Sequence, residues 1–316
     1  MKRTKTAVAT ALALIYTAVC SINLSAHEQK IDLAYQAKNT KVTFSGKKRP
    51  IVLIDEAHHN FHTRDGRYNP FAITLSSDGY EVRKNQQKFS LEGLKDADIL
   101  VIANALNEKN ADSWDLPNYS AFTRAEIEAV YHWVKQGGSL FLIADHMPFP
   151  KAAESLAAMF GFQFNNGYAR FKVEQHSRIV FTRAEDTLKA HPILNGMSSD
   201  EKVDSVRTYT GQAFLPPPNA RSLFTFSKGM VSLMPSKSWR LNADTPEISI
   251  AGWSQGATLK FAQGRVAVFG EAAMFTSQLI GTGDKATDYW IGLKDDNAPQ
   301  NEQFLLNLMH WLSAKI

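Results

Sequence analysis

The feature that most constrains this chain is a series of short apolar segments that alternate with helical patterns. RPIVLID at 49–55, ADILVIANAL at 97–106 and SLFLIAD at 139–145 are rich in branched aliphatic residues. Such continuous runs are typical of strands that are covered on both faces. Strands that alternate with helices through short connections predict right-handed βαβ units. The sequence therefore predicts an α/β fold with a mostly parallel sheet.

The helix before the third of these strands carries clear signals at both ends. Thr123 and Glu126 have the spacing of a capping box, and Phe122 and Ile127 can form a hydrophobic staple. Gly137, followed by a second glycine, predicts the end of this helix. Further helices are predicted at about 70–77, near 151–160 and after Pro299.

The second half of the chain is richer in β patterns, with the segments RIVFTR, SLFTF, MVSLM, EISIAGW, ATLKFA and GRVAVFG. Neither an internal repeat nor a linker divides it from the first half. We therefore expect a single domain over residues 49–316, with a β-rich insertion in its second half and helices on both faces of the sheet. Residues 27–48 are polar and are predicted to form an exposed lead-in.

The first residues have the pattern of a secretory signal peptide. MKRTK is basic, AVATALALIYTAV is apolar, and a small residue, Ala26, is suited to cleavage. This predicts a periplasmic or secreted protein with residues 1–26 removed. An uncleaved anchor is one alternative. A lipid anchor on Cys20 is another, although Val19 stands where a lipobox needs a small residue.

Composition excludes several classes of function. The chain has 316 residues, of which 44% are hydrophobic and 21% are charged, as in ordinary globular proteins. No basic run or basic–aromatic stripe follows the signal peptide, which argues against nucleic-acid binding. No later segment is long and apolar enough to predict a membrane span. The one cysteine lies within the predicted signal peptide, so the mature chain offers no thiol nucleophile.

Polar side chains follow four of the predicted strands at the point where each strand ends. These residues are Asp55, Glu56, His58, His59, Asn104, Asp145, His146 and Glu271. Because ligands of open parallel sheets bind outside the carboxyl ends of the strands, we expect these groups to face one crevice.

This mixture of imidazole and carboxylate groups suits a divalent metal such as zinc, iron or manganese. The predicted ligands are Asp55, His58, His59 and Asp145. Adjacent histidines diverge in an extended chain, so His58 and His59 are not expected to bind the same ion.

A metal would lower the pKa of a bound water to about 7 and so generate a nucleophile. The predicted catalytic groups are Glu56 or Glu271 as general base, His146 as proton donor and Asn104 as an orienting group. A metal-free acid–base site, or purely structural caps with Glu271 capping a following helix, are the alternatives. His62 and His132 are predicted to face solvent.

A second motif, Gly252-Trp-Ser254-Gln-Gly256, matches the G-x-S-x-G pattern of a nucleophile elbow. An elbow needs a helix next, but another strand pattern follows within a few residues. We therefore predict a hairpin here rather than a catalytic serine.

The chain resembles the class I glutamine-amidotransferase-like superfamily, and in particular its ThuA-like and uncharacterised secreted branches. The resemblance rests on IVLIDEAHHN, ADILVIAN, EIEAVYHWVKQGGSLFLIADH and AHPILNGM, and it spans roughly residues 49–280. It implies a flavodoxin-like sheet. It does not imply glutamine hydrolysis, because those enzymes use a cysteine that the mature chain lacks. ThuA-like members are linked to sugar metabolism, so the resemblance also implies a carbohydrate-related substrate.

Two functions therefore stay open on the sequence. The first is a secreted or periplasmic hydrolase-like protein that acts on a small polar molecule through a metal or acid–base site. The second is a non-catalytic ligand-binding or assembly module of the same fold. In either case Trp114, Trp239, Trp253 and Trp290 could supply stacking surfaces.

Overall fold

The computed structural model describes residues 28–39, 41–173, 178–281 and 287–316. The predicted signal peptide, with Cys20, lies outside these ranges. The described residues form an α/β structure with a large mixed sheet and five α-helices. The helices are α1 (Asn69–Ser77), α2 (Leu91–Leu94), α3 (Arg124–Lys135), α4 (Phe149–Met159) and α5 (Asn301–Leu312).

The strands in chain order are β1 (Glu28–Ile31), β2 (Ile51–Asp55), β3 (Glu81–Asn85), β4 (Ile99–Ala103), β5 (Ser139–Ile143), β6 (Gln163–Phe164), β7 (Tyr168–Phe171), β8 (Ile179–Thr182), β9 (Ser205–Thr208), β10 (Phe214–Leu215), β11 (Arg221–Thr225), β12 (Met230–Leu233), β13 (Glu247–Ser249), β14 (Ser254–Phe261), β15 (Gly264–Phe269), β16 (Ser277–Gly281) and β17 (Tyr289–Gly292).

The central sheet has the order β3-β2-β4-β5-β15-β14-β10-β6, and β11 also pairs with β14. The first five of these strands are parallel, and β14, β10, β6 and β11 extend the sheet in antiparallel fashion. The predicted parallel sheet is therefore present, and the strand order is consistent with a flavodoxin-like fold.

Alternate residues of the central strands point into two apolar layers, as expected for a sheet covered on both faces. On β4, Val101 belongs to the layer that contains α1 and α5, whereas Ile102 belongs to the layer that contains α3 and α4. Both residues are fully buried. Because both faces are covered by helices, the polar groups of the sheet collect at its ends.

The β-rich part of the second half adds smaller sheets beside the central one. β13-β12-β7 form one of them and β8-β9 form another. β14 and β15 form the predicted hairpin, so a second strand, and not a helix, comes next after the strand that Ser254 begins. Ser254 is buried within β14, and its hydroxyl lies 2.6 Å from that of Ser222. It therefore lacks the exposed position of a nucleophile elbow.

The segment before the central sheet is anchored to the domain. β1 pairs with β16, and both are part of a three-stranded sheet with β17. Most of the described side chains between residues 29 and 48 are exposed, but Tyr35 is buried and donates a hydrogen bond of 2.7 Å to Glu302 of α5. In the part of the chain that the structure describes, no helix is long and apolar enough to cross a membrane.

Candidate functional site

The polar residues after the strands form two separate clusters, and the first of them is closed. We call it the inner cluster, and it consists of Asp55, His58 and Glu126. His58 Nδ1 lies 3.0 and 2.9 Å from the two carboxylate oxygens of Asp55, and its Nε2 lies 2.8 Å from Glu126 Oε1. The inner cluster thus joins the end of β2 to the start of α3.

Local structure explains how each member of the inner cluster is held. Asp55 ends β2 and also accepts a hydrogen bond from Asn60 Nδ2 at 3.0 Å. Glu126 completes the predicted capping box, because its Oε2 accepts the Thr123 N–H at 3.0 Å. The rings of Phe89 and Phe122 cover the imidazole, with centroid distances of 4.7 and 4.8 Å.

The electrostatics of the inner cluster favour a charged histidine. Burial lowers the pKa of His58, but its hydrogen bonds to Asp55 and Glu126 and their charges outweigh burial, so this pKa is raised. Burial likewise raises the pKa of Glu126, but hydrogen bonds from Thr123 and then His58 leave it lowered. Both ring nitrogens are engaged by carboxylates, so neither has a lone pair free to coordinate a metal.

Two other predicted residues of the same turn lie outside the inner cluster. His59 is exposed and has a left-handed backbone with φ 45°, so it diverges from His58 as expected. Glu56 is half-buried, and its Oε1 accepts the backbone N–H of Arg64 at 2.9 Å. In this structure Glu56 therefore orders the loop that follows β2.

The second cluster, which we call the edge cluster, consists of Asn104, Asp145, His146 and Glu271 at the ends of β4, β5 and β15. Asn104 Oδ1 accepts the backbone N–H of Asp145 at 2.9 Å. Asp145 Oδ1 accepts the N–H of His146 at 2.7 Å, and its Oδ2 accepts the N–H of Ala272 at 3.2 Å. The structure therefore brings together four of the eight predicted residues, and Asn104 serves to position Asp145.

Glu271 caps a local turn, which indicates a structural role, and it also has a strongly raised pKa, which is common at functional sites. Its two oxygens accept the backbone N–H groups of Ala273 and Met274, each at 2.8 Å, so it caps a short 3-10 turn at Ala273–Phe275. Only this short turn forms in place of the helix expected after Glu271, because β16 begins at Ser277. Burial, followed by the charge of Asp145, raises the pKa of Glu271 well above its ordinary value despite these hydrogen bonds.

His146 is the member of the edge cluster with a ring nitrogen still available. Its Nδ1 lies 2.8 Å from the carbonyl oxygen of Met147. Because a carbonyl can only accept, Nδ1 carries the proton and donates it, which leaves the lone pair on Nε2. Nε2 lies 3.9 Å from Asp145 Oδ1, beyond hydrogen-bond distance.

Aromatic rings surround His146. Tyr168 stacks on it with a centroid distance of 4.7 Å, and Trp239 meets it edge-on at 4.5 Å. Phe149 and Trp114 lie further away, at 5.9 and 6.3 Å. Trp239 as a residue is 46% exposed, so the aromatic side of the edge cluster reaches solvent.

The predicted metal ligands are spread over three places: the inner cluster, the exposed turn at His59, and the edge cluster. Among the described residues, no group of three or more His, Cys, Asp and Glu side chains is arranged to hold a metal ion. Metal binding by Asp55, His58, His59 and Asp145 stays a prediction that this geometry does not favour.

Sequence reasoning was wrong about one histidine and missed two partners. His62 was expected to face solvent, but it is only 3% exposed, whereas His132 is exposed as expected. Glu126 was expected only to cap α3, and nothing in its local pattern indicates the contact with His58. Tyr168 lies at the start of β7 and does not follow any of the four predicted strands whose ends are polar.

Comparisons with solved structures support the fold. The chain is similar to the N-terminal domain of mmIFT52, with 14% sequence identity and a TM-score of 0.57, over 83% of this chain and 97% of that one. At such identity the likeness shows the fold alone.

Other structural neighbours include a protein named ThuA-like from Bacteroides uniformis, with 12% identity and a TM-score of 0.44 over 89% of this chain and 95% of that one. They also include a protein from Thermoplasma acidophilum that is named as part of a GMP synthase, with 9% identity and a TM-score of 0.44 over 85% and 96%. No family model and no curated protein matches the chain.

Proposed function

We propose that this protein is a secreted or periplasmic hydrolase-like protein that acts on a small, carbohydrate-related substrate through an acid–base site at the edge cluster. The observation that carries the proposal is the state of His146. Its tautomer is fixed by the Met147 carbonyl, and its Nε2 faces Asp145 beside an exposed tryptophan. The finer relationship to the ThuA-like branch, with its sugar-linked members, belongs to the same proposal.

The chemistry follows from these positions. His146 Nε2 would take a proton from an attacking water and later return one to the leaving group. The carboxylate of Asp145, 3.9 Å away, would stabilise the imidazolium that forms between these two steps. Asp145 itself is held by the backbone of Ala272 and by Asn104 behind it, so the pair has a fixed geometry.

The rings beside His146 suit a sugar. Aromatic walls with a small number of placed polar groups are the usual lining of small-molecule sites. Trp239 offers an exposed ring face, and its backbone N–H donates to Tyr168 Oη at 3.2 Å, which ties the two rings together. Here Glu271 is a positioning residue rather than a base, because its oxygens are already engaged by the 3-10 turn.

A metal does not fit the side chains as they stand. His58 has both nitrogens bonded to carboxylates, and the raised pKa of Glu271 leaves it a poor ligand beside Asp145. The predicted zinc, iron or manganese therefore plays no step in the proposed reaction. Elemental analysis of the purified protein tests this directly, and a stoichiometric metal that is lost on Asp145→Ala would replace our proposal with a metal-dependent one.

The test of the function is turnover of a panel of chromogenic glycosides, esters and amides. His146→Gln should lower kcat/KM by about 10²- to 10⁴-fold, the usual contribution of general acid–base catalysis. His132→Gln is the matched control, since it removes an exposed imidazole of α3 that is not part of the edge cluster and should leave kcat/KM unchanged.

One observation favours the alternative, a non-catalytic binding module. Each carboxylate oxygen of Asp145 and Glu271 accepts a backbone N–H, as purely structural caps do. If the wild-type protein hydrolyses nothing in the panel, yet binds sugars in a manner that Trp239→Ala abolishes, the binding module is the better description.

A further inference from the structure

Arg67 is a cation that lies against the ring of Phe61 and has no acidic partner among the described residues. Its guanidinium carbon lies 4.1 Å from the centre of the Phe61 ring, and its Nε donates to Gln278 Oε1 at 3.3 Å. Within the described ranges no carboxylate pairs with it, and burial alone lowers its pKa. A half-buried guanidinium usually has an anionic partner, because removing its water is costly otherwise.

His62 is a buried polar group that lacks partners. It is 3% exposed, and neither ring nitrogen makes a hydrogen bond of good geometry with any described residue. Burial lowers its pKa to about 3, a contact with the Phe61 backbone opposes this, and the charges of Arg67 and His146 lower it further. An unpartnered buried imidazole is unusual enough to require a reason, and a ligand is one such reason.

Both groups belong to the surroundings of His146. Phe61 contacts the His62 ring at 5.4 Å and the Trp114 ring at 5.2 Å, and Trp114 in turn lies 6.3 Å from His146. The surroundings of His146 thus include the basic groups Arg67 and His62 as well as the acidic groups Asp145 and Glu271.

We propose that Arg67 and His62 form a carboxylate-binding subsite beside His146, so that the substrate is an acidic sugar of the uronic-acid type. This inference rests on the proposed function for its link to catalysis. The guanidinium would receive the carboxylate through its planar pair of N–H donors, and His62 would donate one ring N–H.

Charge selects a carboxylate over a phosphate at this position. Arg67 carries one positive charge, whereas His62 stays neutral near pH 7, because its pKa is about 3. One charge matches a monoanion. A phosphate with nearly two negative charges would keep an uncompensated charge close to Asp145.

The first experiment is calorimetric titration of the purified protein with D-glucuronate, D-glucose and inorganic phosphate. D-glucuronate should bind about tenfold more tightly than D-glucose, the effect of one good charge-assisted contact. Arg67→Gln should abolish this difference. The matched control is Arg124→Gln, which removes the same charge from a side chain that is 91% exposed and should preserve it.

His62→Phe provides an independent second variant. It keeps an aromatic ring in the same packing but removes the donor, so D-glucuronate binding should weaken about fivefold while D-glucose binding is unchanged. Equal binding of D-glucuronate and D-glucose to the wild type, or no binding of either, overturns the subsite. Tighter binding of phosphate than of D-glucuronate overturns the choice of a carboxylate.

These experiments distinguish failure of the carboxylate-binding subsite from failure of the proposed hydrolase function. If Arg67→Gln loses D-glucuronate but no glucuronide is hydrolysed, the subsite stands and the hydrolase is abandoned. If neutral glycosides are hydrolysed through His146 and Arg67→Gln has no effect on any substrate, the reaction stands and the acidic substrate is wrong.

Discussion

The inner and edge clusters are built from the same kinds of residue at the same edge of the sheet, yet they differ in whether a ring nitrogen is left free. In the inner cluster, His58 is held between Asp55 and Glu126 under two phenylalanine rings. In the edge cluster, His146 uses one nitrogen on a backbone carbonyl and keeps the other. A dense group of charges in sequence thus indicates burial and pairing as readily as it indicates chemistry.

Removing one carboxylate of the inner cluster is expected to have the largest effect on stability. Asp55 is fully buried, and Asp55→Ala would leave a buried imidazolium facing a single carboxylate. We expect the free energy of unfolding to fall by about 3–5 kcal/mol, the usual cost of removing one partner from a buried ion pair. Urea unfolding measures it.

Glu56→Ala is the control for that change, because it removes the adjacent carboxylate, which accepts only the Arg64 N–H. Its expected cost is about 0.5–1.5 kcal/mol, that of a single hydrogen bond. Similar losses for the two variants would show that the inner cluster is not the strongly coupled unit described above.

The pH dependence of stability distinguishes His58 from His62. The pKa of His58 is raised in the folded state, so its stabilising contribution is complete below about 6.5, the ordinary pKa of histidine, and is lost as pH rises through the folded value. His62 acts in the opposite direction. Its folded pKa of about 3 means that the unfolded chain binds its proton more readily, so stability falls as pH drops from about 6.5 towards 3.

His62→Phe should therefore flatten the acid side of the stability profile by a few kcal/mol between pH about 6.5 and 3. His58→Phe should flatten the alkaline side instead. Urea midpoints at a series of pH values check both. If His62→Phe leaves the acid side unchanged, His62 is not buried in solution as it is here.

The strand pattern of this chain was largely predictable, because continuous apolar runs and a capping box are local signals. The parallel strands β2, β4 and β5 and the helix α3 lie where the pattern indicated. The site was only half predictable. Asn104, Asp145, His146 and Glu271 follow strand ends in the sequence and lie together in the structure, but the pairing of His58 with Glu126 joins residues 68 apart in sequence.

The burial of individual side chains, such as His62, could not be predicted from the sequence either. His62 follows a polar turn, and no local rule indicates that its ring packs against Tyr68 at 4.8 Å. The rings that surround His146 come from separate parts of the chain: Trp114 precedes α3, Phe149 begins α4, and Tyr168 and Trp239 lie in or beside short strands of the smaller sheet. Tertiary packing brings them together. Trp239, for example, lies between β12 and β13 in the sequence and follows none of the parallel strands.

In the edge cluster, Glu271→Gln is expected to change the free energy of unfolding less than Asp55→Ala does in the inner cluster. The raised pKa of Glu271 means that the folded protein holds its proton while the unfolded chain releases it, so this group lowers stability as pH rises above about 4.3. A neutral glutamine removes that dependence but weakens one of the two bonds to the 3-10 turn. We expect a net change within about 1 kcal/mol at pH 7, by urea unfolding.

Glu271→Ala serves as the comparison for the amide variant, because it removes the cap altogether and should cost about 1–2 kcal/mol more than glutamine does. A large loss with Glu271→Gln, equal to that with alanine, would mean that the carboxylate is charged in the folded protein and that the edge cluster is a paired site like the inner one.

The smallest expected effect on stability is that of Trp239→Ala, at the exposed side of the edge cluster. This variant tests whether Trp239 contributes to packing or to ligand binding. Trp239 is 46% exposed, and truncating a surface side chain usually changes the free energy of unfolding by no more than about 0.5 kcal/mol. Its ring nevertheless lies 4.5 Å from that of His146, so a bound sugar would lose its stacking surface. Trp239→Ala should therefore preserve the urea midpoint while weakening D-glucuronate and D-glucose binding by the same factor, about tenfold, because both share the sugar ring. If the midpoint falls by as much as in Asp55→Ala, the aromatic wall is part of the core, and the contrast between a closed inner cluster and an open edge cluster no longer holds.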